Sequence, residues 1–185
     1  MRVVIADTEI RFADYPFAGA SVYPDGVIAI SEIADADPRA LPPQVRTVDG
    51  ETLFLRAADR PALDEFCRRN GIETHRGPDI WGDLLEPFLD TSFDAEDQRA
   101  TDTRLHRAGL SQEEIVAIRE RVGPAMMSYN FDSMLWEWAH LGLDDLLSAA
   151  NGVLARPAAR ATLGDPAQFY SWAMRIAART GDLPE

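Results

Sequence analysis

DSMLWEWAHLGLDDLLSAA, residues 132–150, reads as one helix that is apolar almost all the way round. Phe131, Met134, Leu135, Trp136, Trp138, Leu141, Leu143, Leu146 and Leu147 supply that surface, which places the segment at the centre of a helical core. The exception is a line of Ser133, Glu137, His140, Asp144 and Ser148. At about 100° per residue these five positions fall within about 80° of one another, so two carboxylates and an imidazole point the same way.

That line is the one constellation with the residue types for chemistry. Glu137-x-x-His140 has the spacing with which helices of di-iron bundles present two ligands on one face. Such a centre needs the pair twice and two further glutamates, whereas this chain has one pair. With three histidines in all, His75, His106 and His140, a mononuclear metal site from Glu137, His140 and Asp144, with His106 as a fourth ligand, is the catalytic alternative. The structural alternative is a solvent-facing edge on a buried helix, with Glu137 and Asp144 as ordinary neighbours of His140. No metal is favoured and no cofactor is expected.

Working outward, residues 79–185 read as helical throughout, with helices near Ile80–Leu89, Asp94–Ala108, Gln112–Val122, Ser133–Ala150 and Pro166–Arg179. Gly109 and Gly123-Pro124 are stop signals, Ser111 with Glu114 is a capping box, and Asp165-Pro166 is a start signal. The last helix presents Phe169, Tyr170, Trp172, Ala173, Ile176 and Ala177 and is expected to pack on Trp136 or Trp138. Residues 153–163 read as an Ala/Arg-rich loop.

Residues 1–78 read as an antiparallel sheet with one helix. Arg2–Ile5 and Glu9–Phe12 are β-prone. Ser21–Tyr23 and Val27–Ile30 flank the turn residues Pro24-Asp25-Gly26. Val45–Val48 and Glu51–Leu55 flank Asp49-Gly50, the dipeptide of a type I′ hairpin. The Pro- and Ala-rich stretch 34–43 reads as a loop. A helix near Arg60–Arg69 has Asp59 as N-cap, Pro61 in its first turn, Leu63, Phe66 and Cys67 on its apolar face, and Asn70-Gly71 as its stop. Ile72–His75 is the last strand expected, and Gly77-Pro78 the boundary. The fold class is therefore α+β, in two parts, 1–78 and 79–185, that form either two small domains or one continuous domain.

Composition narrows the function classes. The chain has 185 residues, 46% hydrophobic, enough for a core without disulfides or metal. Net charge is −13, and all 18 basic residues are arginine. Such acidity disfavours nucleic acid and anionic membranes, which bind through basic patches. A single cysteine excludes an internal disulfide. The start MRVVIADTEI is too short an apolar run for a secretory signal, so a cytoplasmic, bacterial-style protein is expected. Glycines are never closer than five positions, so no glycine-rich phosphate cradle can be built.

Two further segments invite a binding reading. Residues 79–97 hold seven acids and no base, with Trp81, Phe88 and Phe93 interleaved. Asp79, Asp83, Asp90 and Asp94 with Trp81 could dock a basic protein partner, the charge steering and the ring anchoring, or they could be solvated acids over core aromatics. Residues 109–115, GLSQEEI, are similar to the start of the second helix in helix-turn-helix repressors. A polar and basic recognition helix should follow there, yet Gly123-Pro124, Met126, Met127, Tyr129 and Phe131 come instead. Cys67 shares the face of Leu63 and Phe66 and reads as an inert core thiol. The leading expectation is a non-catalytic accessory or inhibitor-like protein with an acidic binding surface, and the alternative is a metal-dependent enzyme built on Glu137, His140 and Asp144.

Overall fold

The computed structural model describes residues 1–75, 77–89, 95–132 and 140–179. The fold is α+β, with two three-stranded antiparallel sheets in the first half and helices in the second. The chain divides into two compact units, Met1–Gly77 and Pro78–Glu185.

In the first unit, β1 (Arg2–Ile5), β2 (Glu9–Ala13) and β3 (Gly26–Ala29) pair in that order. Alternation sets the faces: Ile10, Phe12 and Ile28 are buried, while Val4, Arg11 and Val27, aligned across the strands, are exposed. The expected strand Ser21–Tyr23 does not form. Tyr15, Phe17, Ala20 and Val22 are buried instead, linked by turn hydrogen bonds from Ala20 N–H to Phe17 and from Tyr23 N–H to Ala20. Gly26 allows this packing, because a Cβ there would lie 2.6 Å from the Cα of Val22.

The second sheet has the order β4 (Ile33–Asp37), β5 (Gln44–Thr47) and β6 (Thr52–Phe54). β4 replaces part of the expected loop. Its register shifts between Ile33 and Asp35, so the buried residues Ile33 and Ala36 do not alternate and leave no period of two to read. The β5–β6 hairpin is present, but of its two turn residues only Gly50 takes a positive φ, 82°. With Gly50 N–H on the Thr47 carbonyl and Thr47 N–H on that of Glu51, the connection is a three-residue loop with a glycine bulge, not type I′. The expected strand Ile72–His75 reduces to one parallel bridge, Thr74 to Ala36.

Helix α1 (Arg60–Asn70) buries Leu63, Phe66 and Cys67 and ends at Gly71, whose φ of 66° suits glycine. Asp59 stands at the N-cap of α1 but accepts no hydrogen bond from it, taking the Arg56 N–H at 3.2 Å instead. Its carboxylate also takes the Arg56 guanidinium at 2.7 and 2.8 Å.

The second unit contains α2 (Ile80–Leu85), a 3₁₀ turn at Glu86–Phe88, α3 (Ala95–Arg107), α4 (Gln112–Asp132), α5 (Leu143–Ala150), α6 (Pro157–Arg160) and α7 (Pro166–Ala177). The capping box at α4 is complete: Ser111 N–H donates to Glu114 at 2.9 Å, and Glu114 N–H donates to Ser111 Oγ at 3.2 Å. Helix α4 does not stop at Gly123-Pro124. Pro124 is exposed, so water can take the carbonyl it leaves unbonded, while Val122, Ala125 and Met126 are fully buried. Burying those side chains offsets the cost of about 3 kcal/mol for an interior proline. Gly123 serves close packing, since a Cβ there would meet the Phe88 ring at 3.2 Å.

The single helix expected over 133–150 is broken. Residues 140–142 are not helical, Gly142 is extended at φ −125°, and α5 begins at Leu143. Trp136 and Trp138, expected to face the last helix, lie outside the described residues. Among those described, Trp81 packs on α7: its ring meets Trp172 at 5.7 Å, and its indole N–H donates to the Ala173 carbonyl at 3.0 Å. No helix among the described residues is long and apolar enough to cross a membrane.

Candidate functional site

The break before α5 creates a site that a continuous helix would not have. Asp79 caps α2, accepting from Gly82 N–H at 2.9 Å. Its other oxygen, Oδ2, stands 3.1 Å from His140 Nε2, and both side chains are about half exposed, at 47% and 49%. Helix α5 then opens with two consecutive acids. Asp145 accepts the Gly142 N–H at 2.8 Å, closing the first turn, and the hydroxyl of Tyr129 from α4 at 3.0 Å. Asp144 lies beside Gly142 and His140: a Cβ on Gly142 would fall 3.2 Å from Asp144 Oδ1 and 3.5 Å from His140 Nε2. Gly82 is tighter still, its Cβ position lying 2.5 Å from Asp79 Oδ2 and 2.8 Å from His140 Cε1.

The electrostatics follow from this crowding. The bond to Asp79 raises the His140 pKa above the usual imidazole value against an opposing effect of burial, and the charges of Asp79, Asp145 and Asp144 add to the rise. Burial, then the charge of Asp145, pushes the Asp144 carboxyl up to about 7 despite the helix N-terminus and His140. Asp145 is also raised, by burial, but Gly142, Tyr129 and His140 pull the other way. The two hydrogen bonds make Asp145 the better anion, leaving Asp144 to carry a proton near neutrality. The Tyr129 hydroxyl is held far from ionisation by burial and by Asp145. The group can therefore bind and release protons close to neutral pH.

The expected site residues divide as follows. His140 and Asp144 come together, but through a turn and not along one helix face, and Glu137 lies outside the described residues. His106 accompanies neither. It lies in the last turn of α3 with Nδ1 2.8 Å from the Leu110 carbonyl, a link that closes the α3–α4 turn. Among the described residues, no group of three or more His, Cys, Asp or Glu side chains is placed to hold a metal ion. Asp79 belongs with His140, an association across 61 positions that no local spacing could reveal. Trp81 is only 2% exposed and is a core residue, not a surface anchor. Asp83 receives the Arg104 guanidinium at 2.6 Å, and Asp90 and Asp94 lie outside the described residues. Cys67 is buried, which pushes its thiol up to about 11.

Tyr129 and Asp145 were not anticipated as site residues. The signal for Asp145 was present, since Gly142 followed by an acid three positions later is a helix-start pattern. Tyr129 gave none. No protein-family model matches the chain, and no curated protein or solved structure shows significant similarity to it.

Proposed function

We propose that this is a non-catalytic cytoplasmic accessory protein that engages a basic protein partner through an acidic surface, in the manner of an inhibitor or toxin-neutralising protein. The observation that supports this reading is the excess of acid over base in the second half of the chain. Residues 79–185 hold 18 acids against nine arginines. Among the described residues, Arg104 pairs with Asp83, Arg119 with Asp102 and Arg179 with Glu114, and Arg121 stacks 4.1 Å over the Trp172 ring. Glu113 and Glu120 on α4 are exposed.

The exposed face of α4 also supplies apolar contacts. Val116 and Met127, 45% and 46% exposed, fall within about 60° of Glu113 and Glu120 around the helix axis. Apolar anchors set among charges that steer give an interface both affinity and a fast approach.

Affinity capture with the full chain at low and physiological salt tests the reading, because charges are screened beyond about 8 Å at physiological ionic strength. The expected result is one stoichiometric basic partner, weakened by salt and by the double reversal Glu113→Arg/Glu120→Arg. Absence of any partner at low salt, or binding indifferent to both changes, contradicts it. Elemental analysis separates the rival metal-enzyme reading, which requires stoichiometric metal that is lost on His140→Ala.

A further inference from the structure

The His140 centre joins elements far apart in sequence, which gives it a mechanical consequence. We infer that Asp79, His140, Asp144 and Asp145 form a proton-operated latch fastening the start of α5 to the start of α2, closed when the group holds its protons and loosened when it releases them. This stands independently of the partner-binding reading.

The geometry carries the inference. Asp79 is tied to α2 through Gly82 N–H, and Asp145 is tied to the first turn of α5 through Gly142 N–H and to α4 through Tyr129. The 3.1 Å contact between His140 and Asp79 is the clasp that connects these two anchored ends. Glycine at position 82 leaves room for the clasp, since a Cβ there would collide with both Asp79 and His140, and at position 142 a Cβ would press on Asp144 Oδ1 at 3.2 Å. Four titratable groups and a tyrosine thus gather around two glycines.

Protonation decides whether the arrangement holds together. With His140 charged and Asp144 neutral, the cluster carries one cation between the anions Asp79 and Asp145. With both protons gone it carries three carboxylates and no cation, with Asp144 and Asp145 adjacent and poorly solvated. Among the described residues, the groups acting on His140 are Asp79 from the start of α2, and Asp145 and Asp144 from α5. Those acting on Asp144 are Asp145 and His140, and Tyr129 of α4 feels both carboxylates.

Both titrations act in the same direction. His140 is raised in the closed state, so its contribution is complete below the ordinary imidazole value of 6.5 and is lost as pH rises through its folded value. Asp144 is raised from 3.8 to about 7, so its ionisation opposes closure progressively across that interval. Each proton linked to closure changes the opening equilibrium by about tenfold per pH unit within its window.

Amide hydrogen exchange on the full chain, corrected for intrinsic rates, reads the latch at Gly142 N–H, bonded to Asp145, and at Leu146 N–H, bonded to the Gly142 carbonyl. From about pH 6 to about pH 8, protection at both amides is expected to fall by about tenfold or more. Protection at Thr47 N–H, in the β5–β6 hairpin, should stay constant. Asp144→Asn should leave a shallower profile carried by His140 alone, and His140→Gln should lower protection at the lower pH while leaving the shallower fall due to Asp144. A flat wild-type profile, an equal fall at Thr47, or an unchanged slope in Asp144→Asn overturns the inference. Should either variant fail to fold, a carbon-13 titration of the Asp144 carboxyl in the wild type decides: a midpoint near 7 supports the latch, and one in the ordinary range for aspartate overturns it.

Discussion

Replacing Tyr129 by Phe removes one oxygen from the interior of the second unit and leaves the ring in place. Tyr129 and Asp145 are 5% and 6% exposed, and the hydroxyl donates to the carboxylate at 3.0 Å. After the change Asp145 retains only the Gly142 N–H among its two described donors, in surroundings that exclude water. A hydrogen bond to a charged group is worth about 1.5–3 kcal/mol, and the void left by a hydroxyl is small, so the expected loss is about 2 kcal/mol. Surface substitutions stay within about 0.5 kcal/mol, which makes the two outcomes separable. All four tryptophans lie in residues 79–185, so urea unfolding followed by tryptophan fluorescence reports on this half. With an m-value of about 1–3 kcal/mol per molar, the midpoint should fall by about 1 M. The deficit has a pH signature as well. The lost bond favours ionised Asp145, so its contribution is present above the folded pKa of Asp145 and disappears as pH falls through that value. A loss below about 0.5 kcal/mol at neutral pH, or one that grows in acid, would refute the reasoning.

Three other perturbations follow from the packing. Trp81→Ala removes a fully buried indole from between α2 and α7 and should cost about 3–5 kcal/mol, with loss of near-ultraviolet dichroism from the Trp81–Trp172 pair; a smaller cost would mean that the site collapses around it. Ser111→Ala breaks the capping box at α4 and should cost about 1 kcal/mol by urea denaturation, while an unchanged midpoint would show the cap to be redundant. Cys67, with its thiol raised to about 11 by burial, should resist thiol reagents at neutral pH until the chain unfolds, and rapid labelling of the folded protein would contradict its place on the inner face of α1.

The parts of the fold that were legible in sequence are those governed by local chemistry. Ser111 with Glu114, Asp165 before Pro166, and Gly71 after Asn70 each marked a helix end that the structure has. β1, β2 and the β5–β6 hairpin followed from β-prone runs and turn residues. What escaped depended on packing or on distant partners. Pro124 looked like a stop, but buried neighbours on either side carry α4 past it. β4 lacked an alternating pattern because of its bulge. The apolar run 132–150 concealed Gly142, whose extended backbone interrupts the helix and redirects His140. Of the candidate site, His140 and Asp144 were found for a reason that did not hold, a shared helix face. In the sequence Asp79 reads as part of the acidic segment 79–97, and Tyr129 carries no signal at all.

His140 lies against Asp79 and beside the α5 carboxylates in a single proton-binding group. A proton NMR titration of the His140 imidazole, in the wild type and in Asp79→Asn, measures this most directly. The midpoint should lie above 6.5 in the wild type and fall toward that value when the Asp79 charge is removed. A wild-type midpoint at or below 6.5, or one unmoved by Asp79→Asn, would contradict the arrangement described here.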